Sequence, residues 1–321
     1  MVHYRCRTTV MNIIFVIILG LVVGSFLNAY IFRLHRSTTL NPSLHNPLQL
    51  PLILRGRDRS PPPLRIRGGE GELRSVWRGR SYCPKCKKPL AWYELIPVLS
   101  FILQLRRCRG CKQRIDWQYP VVELSTAVLF VLAYLAQRIM NQAVIHDFLF
   151  LIQQLVAWYL LSVLVILFVF DLRYGLVPDR MVLPAIVIAF FSMVILNAVK
   201  DPMIPDIDGI LRFAQNGTNL YVLLAIAVGA GFFALQYYAS KGRWLGAGDI
   251  RIGALMGAML GWPLIIEALV LSYMIGGVVG LLLIATGKKR FGQTVPLGTF
   301  LTLGTAITFL YGEQIWHWYW G

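Results

Sequence analysis

Long apolar runs constrain the fold of this 321-residue chain more than any other feature of its sequence. A hydrocarbon core about 30 Å thick is crossed by roughly 20 residues of α-helix, and lipid offers no partner to an unpaired backbone group. Apolar runs near this length recur along the chain, at 12–34, 121–139, 148–170, 181–198, 219–239, 250–262, 264–287 and 295–313. They predict an all-α polytopic membrane protein with about eight transmembrane helices, with seven and nine as the alternatives.

Positive charge predicts the orientation of these helices. Residues 33–118 hold 18 Lys and Arg against 5 Asp and Glu, and loops rich in Lys and Arg stay in the cytoplasm. Arg5 and Arg7, ahead of the first run, oppose this orientation but are outnumbered. With the N-terminus outside, the later basic loops fall inside and the acidic segment 201–208 falls outside. A cleaved signal peptide is the alternative for the first run, disfavoured because the run is too long and no small-x-small site follows it.

Four cysteines in the basic loop form two C-x2-C pairs. Cys83 and Cys86 are separated from Cys108 and Cys111 by 21 residues. Each pair can present two thiolates on a tight turn, and two such turns complete a tetrahedral zinc site. In the reducing cytoplasm a disulfide is the poorer explanation. Because all four positions are thiols, no coordination site remains for a substrate water, so we expect a structural zinc in a small cytoplasmic domain inserted after the first helix.

The segment between the first helix and the cysteines, residues 36–80, shows no periodicity. Pro61-Pro-Pro63 and Gly68-Gly69 interrupt it, and we expect it to be poorly ordered. It also carries a set of arginines, namely Arg55, Arg57, Arg59, Arg65, Arg67, Arg74, Arg78 and Arg80. A nucleic-acid interface is disfavoured because aromatic residues are almost absent. Attraction to anionic membrane lipids is the simpler interpretation.

Two aspartates sit at the edges of apolar helices, and the charge pattern places both at the cytoplasmic face. A carboxylate at membrane depth costs about 2.5–3.5 kcal/mol, so Asp171 and Asp249 are functional candidates. If the two meet, they form an acid pair that shares one proton and can hydrolyse peptide bonds. Gly246 and Gly248 permit a tight turn before Asp249. The alternatives are ordinary interfacial residues, ion-binding groups of a polytopic transporter, or a zinc-containing scaffold of a secretion assembly.

Four segments together resemble the type IV prepilin peptidase family. The first is Gly24-Ser-Phe-Leu-Asn28, and the second is the pair of cysteine motifs with Trp92-Tyr93 and Ile96-Pro97 between them. The third and fourth are Tyr119-Pro-Val-Val-Glu123, and Asp171 with Val177-Pro-Asp179 followed by Gly246-Ala-Gly-Asp249. The chain departs from the family at His35, where a proline is common, and in the long 36–80 insertion. Neither departure touches the two aspartates.

The resemblance implies a membrane aspartyl endopeptidase with Asp171 and Asp249 as its catalytic pair. Its substrates would be type IV prepilins or type II secretion pseudopilins, whose short basic leader is removed at the cytoplasmic face of the bacterial inner membrane. The cysteine-bearing loop implies a form that also N-methylates the new terminus with S-adenosylmethionine, with a peptidase lacking that activity as the alternative. No Gly-x-Gly-x-x-Gly fingerprint is present, so that cofactor site would be non-Rossmann.

The domains expected from this interpretation are a first transmembrane helix (1–34), a cytoplasmic basic loop with a four-cysteine zinc-binding domain (35–118) and a membrane peptidase domain (119–321). Asp179 is expected to cap a helix, and Glu123 lies at a helix start. Acidic residues near the predicted site are candidates to hold a basic leader in a negative groove, and these are Glu94, Asp116, Glu123 and Asp179.

Overall fold

The computed structural model of the chain is nearly all helical. It describes residues 2–40, 81–83, 85–140, 147–200, 218–288 and 295–320. The helices are α1 (Val2–Leu40), α2 (Leu99–Leu103), α3 (Gln118–Met140), α4 (Asp147–Tyr174), α5 (Asp179–Lys200), α6 (Thr218–Ala239), α7 (Ala247–Leu260), α8 (Leu264–Ala285) and α9 (Leu297–Trp320). A short 3-10 helix spans Trp92–Leu95. The sequence predicts that the 36–80 insertion is poorly ordered. Residues 36–40 of it belong to α1, and residues 41–80 lie outside the described residues.

Five of these helices are long and apolar enough to cross a membrane, judged over the described part of the chain. They are Met11–His35, Gln118–Arg138, Phe150–Tyr174, Leu220–Ala239 and Leu264–Ala285. The predicted count of eight spans is not confirmed. The other three predicted spans overlap α5, α7 and α9. The 14 residues of α7 rise only about 21 Å, which is short of a hydrocarbon core about 30 Å thick.

The chain divides into two compact units, Met1–Val131 and Leu132–Gly321. In the first unit, α1 packs closely against the start of α3. A Cβ atom added to Gly20 would lie 2.5 Å from the Cα of Ala127, and one added to Gly24 would lie 2.7 Å from the Cα of Glu123. Small residues at such a contact let two helices approach closely and gain dispersion energy. Close packing matters in a membrane, because lipid is as apolar as the helices and gives no hydrophobic driving force for their association.

The second unit is built around α7. Eleven of its 14 residues are buried, and α5, α6, α8 and α9 all pack against it. Its approach to α6 is the closest, since a Cβ atom added to Gly253 would lie 2.3 Å from the carbonyl oxygen of Gly229. Asp249 therefore lies in the first turn of a helix that is surrounded by other helices.

Candidate active site and metal centre

Asp171 lies near the C-terminal end of α4 and is buried, with 7% of its surface exposed. One carboxylate oxygen, Oδ2, accepts two hydrogen bonds from Thr299 in the first turn of α9. The backbone N–H of Thr299 donates at 2.7 Å and its hydroxyl donates at 3.0 Å. Both donors favour the ionised form of the carboxyl group, and the N-terminal end of a helix adds a favourable dipole.

The residue before Thr299 explains how α9 can approach this carboxylate. A Cβ atom added to Gly298 would lie 2.9 Å from Asp171 Oδ2 and 2.9 Å from Cδ1 of Ile252, a buried residue of α7. Any larger residue at 298 would push α9 away from one of these two neighbours. Gly298 therefore allows α9 to contact both helices that carry the aspartates.

Asp249 lies in the first turn of α7 and is also buried, with 8% of its surface exposed. Its Oδ2 accepts a hydrogen bond from the backbone N–H of Gly246 at 3.1 Å, and its own N–H donates to the carbonyl of Gly246 at 3.1 Å. Gly246 has φ −83° and ψ 155°, a conformation open to any residue. Gly248 is needed for packing instead, because an added Cβ would lie 2.6 Å from Cγ2 of Val177.

The two carboxyl groups interact electrostatically. Asp249 lies outside the five candidate spans. Burial raises the pKa of its carboxyl to about 7, the negative charge of Asp171 adds to the rise, and the hydrogen bond from Gly246 opposes it. With a pKa of about 7, the carboxyl group of Asp249 can hold a proton close to neutral pH. Such a pair can carry a single proton.

An ion pair joins α5, the helix that follows Asp171 in the chain, to α7, the helix that contains Asp249 in its first turn. Asp179, the first residue of α5, accepts a hydrogen bond from the guanidinium of Arg251. Arg251 follows Asp249 by two residues, and Val177 packs on Gly248 in the same place. Sequence reasoning missed both Arg251 and Thr299. No local pattern marks either residue, because each acts on a residue at least 72 positions away.

The other three candidate acids lie in the first unit, and each accepts a hydrogen bond from the backbone. Buried Glu94 accepts from the N–H of Ala91 at 2.9 Å, at the start of the 3-10 helix. Buried Glu123 accepts from the N–H of Val98 at 2.7 Å. Asp116 accepts from the N–H of Gln118 at 2.9 Å, at the start of α3. Glu94 and Asp116 therefore stabilise the starts of the helices in which or before which they lie, and Glu123 joins α3 to the residue before α2.

The predicted cluster of four thiols is present in the first unit. The sulfur atoms of Cys83, Cys86, Cys108 and Cys111 all lie within 4.8 Å of one another, and none of the four is in a disulfide. Cys83 Sγ and Cys111 Sγ are 3.8 Å apart. A tetrahedron of thiolates with Zn–S bonds of about 2.3 Å has edges of about 3.8 Å, so the spacing fits a zinc ion.

The two cysteine turns have the same backbone arrangement. In the first, the N–H of Cys83 donates to the carbonyl of Lys88 at 3.0 Å and the N–H of Lys87 donates to the carbonyl of Cys83 at 2.9 Å. In the second, Cys108 pairs with Gln113 and Lys112 in the same way, at 2.9 Å each. The repetition shows that backbone hydrogen bonds within each turn present the two sulfurs together.

Two family models match the chain. The bacterial peptidase A24 N-terminal domain matches residues 18–137, a range that includes all four clustered cysteines. The type IV leader peptidase family matches residues 158–281, a range that includes both aspartates. No solved structure matches the chain.

Curated relatives carry the name prepilin leader peptidase/N-methyltransferase. The Bacillus subtilis protein is 30% identical over 241 residues, covering 75% of this chain and 85% of the relative. The Aeromonas salmonicida protein is 29% identical over 310 residues, covering 95% and 92%. The Myxococcus xanthus protein is 32% identical over 278 residues, covering 86% and 64%. The likeness therefore extends over most of the chain.

Proposed function

The chain belongs to the type IV leader peptidase family, and on this basis we propose that it cleaves the leader from prepilins and then N-methylates the new terminus. The observation that carries the peptidase part is the buried pair Asp171 and Asp249, whose charges interact. A peptidase without methyltransferase activity is less well supported, because the relatives' names carry both activities. A transporter is also less well supported, because both aspartates lie near helix ends.

The two aspartates have different roles in the proposed hydrolysis. We assign Asp171 as the base, because its Oδ2 accepts two hydrogen bonds from Thr299, and such bonds favour a carboxylate over its protonated form. It takes a proton from water, and the water oxygen bonds to the scissile carbonyl carbon while protonated Asp249 donates a hydrogen bond to the carbonyl oxygen. The carbon–nitrogen bond then breaks, and the proton held by Asp171 passes to the leaving amine.

We expect the hydroxyl of Thr299 to contribute measurably to this step. Thr299→Ala removes one of the two donors to Asp171, and a hydrogen bond to a charged group contributes about 1.5–3 kcal/mol, or about 10–100-fold in rate. Cleavage of a prepilin in detergent should show kcat reduced by this factor with KM unchanged, and Thr299→Ser should restore it. The matched control is Thr302→Ala, which removes a buried hydroxyl that donates only to backbone carbonyls. Equal losses in the two alanine variants would contradict this role.

Two cofactors belong to the proposal. Zn²⁺ held by the four thiolates fixes the fold of the segment between the cysteine pairs, since a four-thiolate site has no open position for catalysis. S-adenosylmethionine, when bound, would supply a methyl group to the amine nitrogen that cleavage frees, leaving as S-adenosylhomocysteine while the amine gives up a proton. The cysteine-bearing loop and the relatives' names support this two-activity form.

The substrates proposed are prepilins or type II secretion pseudopilins, cleaved at the cytoplasmic face of the bacterial inner membrane. Charge in the 33–118 loop supports this orientation. In a Cys6→Ser background, a cysteine placed at Ile204 should react with an impermeant maleimide on intact cells. A cysteine at Trp244, in the turn before α7, should react only after permeabilisation. The reverse pattern of labelling would contradict the orientation.

A basic leader needs acidic groups to hold it, and we propose that some of Glu94, Asp116, Glu123 and Asp179 contribute. Charge pairs at a partly solvated site contribute at most about 1 kcal/mol each, or about fivefold in KM. Neutralising Glu94 and Asp116 together should therefore raise KM and flatten its dependence on salt. Glu313→Gln, which removes an exposed carboxylate of α9, serves as the control. An unchanged KM would show that apolar contacts hold the leader instead.

A further inference from the structure

The segment between the two cysteine pairs exposes a set of large apolar side chains. Trp92 is 78% exposed, Leu103 is 66% exposed and Leu105 is 82% exposed. Leu99, Ile102 and, just beyond the second pair, Trp117 are exposed as well. We call these six residues the apolar surface. Exposed apolar surfaces of this kind on a protein mark a site of contact with another apolar phase or molecule.

Contacts within the segment hold parts of this surface together. The ring of Phe101 in α2 lies 5.2 Å from the ring of Trp117. The guanidinium of Arg106 stacks over Trp117 at 4.8 Å, and the N–H of Leu105 donates to the carbonyl of Ile102. Leu99, Ile102 and Leu103 occupy positions i, i+3 and i+4 of α2, which lie on one side of a helix, and Leu105 lies in the turn that follows.

Basic residues outnumber acidic ones beside the apolar surface, where Glu94 and Asp116 are the two acids. Residues 95–115 contain no Asp or Glu, and five basic residues follow the apolar ones, namely Arg106, Arg107, Arg109, Lys112 and Arg114. A mixture of exposed Trp and Leu with Arg and Lys is the composition of segments that lie in the interface of an anionic membrane.

A hydrogen bond fixes this segment at the end of a membrane helix. The N–H of Val98, the residue before α2, donates to Oε2 of Glu123 at 2.7 Å. Val98 has φ 58°, which is unusual for a β-branched residue, so this contact sets the chain direction at a defined point. Glu123 lies five residues into the span Gln118–Arg138, which is about 8 Å along the helix axis. Interfacial segments bury their apolar face about 5–10 Å deep, so the depth agrees.

We propose that the apolar surface is a lipid-binding face, seated among the headgroups and first methylenes of the anionic leaflet. Arg107 and the neighbouring basic residues bind lipid phosphates there. Trp117 directly precedes the span of α3, so this face continues the membrane contact of that helix. The inference is independent of the catalytic role of the aspartates.

Photocrosslinking of the full-length, zinc-loaded protein in nanodiscs tests this directly. The probe is p-benzoylphenylalanine at Leu103 or at Leu105, and the matched control is the same probe at Lys88, an exposed position beside a cysteine turn of the same unit. In nanodiscs with equal amounts of phosphatidylglycerol and phosphatidylcholine, mass spectrometry should find lipid adducts at 103 and 105 several-fold above those at 88. In phosphatidylcholine alone the yield should fall.

Three results would overturn the proposal. Adducts at 103 and 105 with an added prepilin in place of lipid would make the surface a substrate-binding face. Adducts with other residues of this chain, or no adducts, would show that the surface is covered or faces water. Equal lipid yields in both nanodisc compositions would exclude binding to anionic headgroups. Zinc content, measured on each variant, verifies that the first unit is folded.

Discussion

Cleavage of a prepilin should fall to background when either Asp171 or Asp249 is replaced by Asn. Asn keeps the size of the side chain and its capacity to accept a hydrogen bond, but it cannot take up or release the proton that hydrolysis needs. General acid–base catalysis contributes about 10²–10⁴-fold, so each variant should lose at least this much in kcat. Mass spectrometry of the N-terminus of a co-expressed prepilin measures the loss.

The control for this experiment is Glu267→Gln, which neutralises a carboxylate whose oxygens are buried in α8 of the same unit. It should leave cleavage near the wild-type rate. We expect methylation of an already cleaved pilin to survive in both aspartate variants, because transfer of a methyl group to a free amine does not require an activated water. Substantial cleavage by either Asn variant would remove that residue from the catalytic pair.

Replacing Cys108 by Ser should remove the zinc and destabilise the first unit. Wild-type protein should contain about one zinc per chain, and structural zinc contributes about 10–16 kcal/mol of apparent binding free energy to such small domains. Cys108 is buried among the other three thiols. Its loss should therefore expose the Lys and Arg residues of the segment 85–114 to cleavage by trypsin. Metal analysis and limited trypsin digestion are the measurements.

The matched control is Cys6→Ser, a cysteine outside the cluster, which should retain both zinc and trypsin resistance. Cleavage of prepilin by the Cys108→Ser protein should fall less than in the aspartate variants, because we propose that the zinc supports the fold and that the acid pair performs the chemistry. Full zinc content in Cys108→Ser would show that these thiols are not the ligands.

Local patterns predicted much of the fold, since hydropathy is a property of consecutive residues. The run 219–239 corresponds to α6 at Thr218–Ala239, and the run 264–287 corresponds to α8 at Leu264–Ala285. The spacing of the cysteines likewise predicted their cluster, because each pair forms its own turn. Whether an apolar run spans the membrane depends less on consecutive residues and more on how the helix packs against its neighbours. The run 250–262 forms a helix that its neighbours bury on almost every side.

The partners of the aspartates were beyond sequence reasoning. Thr299 follows Asp171 by 128 positions, and Arg251 follows Asp179 by 72. A threonine at a helix start is ordinary, and only the packing of α9 against α4 shows that this one donates twice to a carboxylate. The role of Gly298 also depends on tertiary packing, because the atoms that an added Cβ would meet belong to α4 and α7.

The hydrogen bonds between Thr299 and Asp171 also have a consequence for the time at which activity appears during synthesis. The chain is synthesised from its N-terminus, so Asp171 enters the membrane long before the residues that pair with it. Until α9 is inserted, this carboxylate lacks both of its donors, and until α7 is made there is no second acid. If the two aspartates are the catalytic pair, we therefore expect a nascent chain not to cleave pilins that are inserted beside it. Proteolytic activity is then expected to begin only after translation has passed Thr299 and α9 has packed against α4.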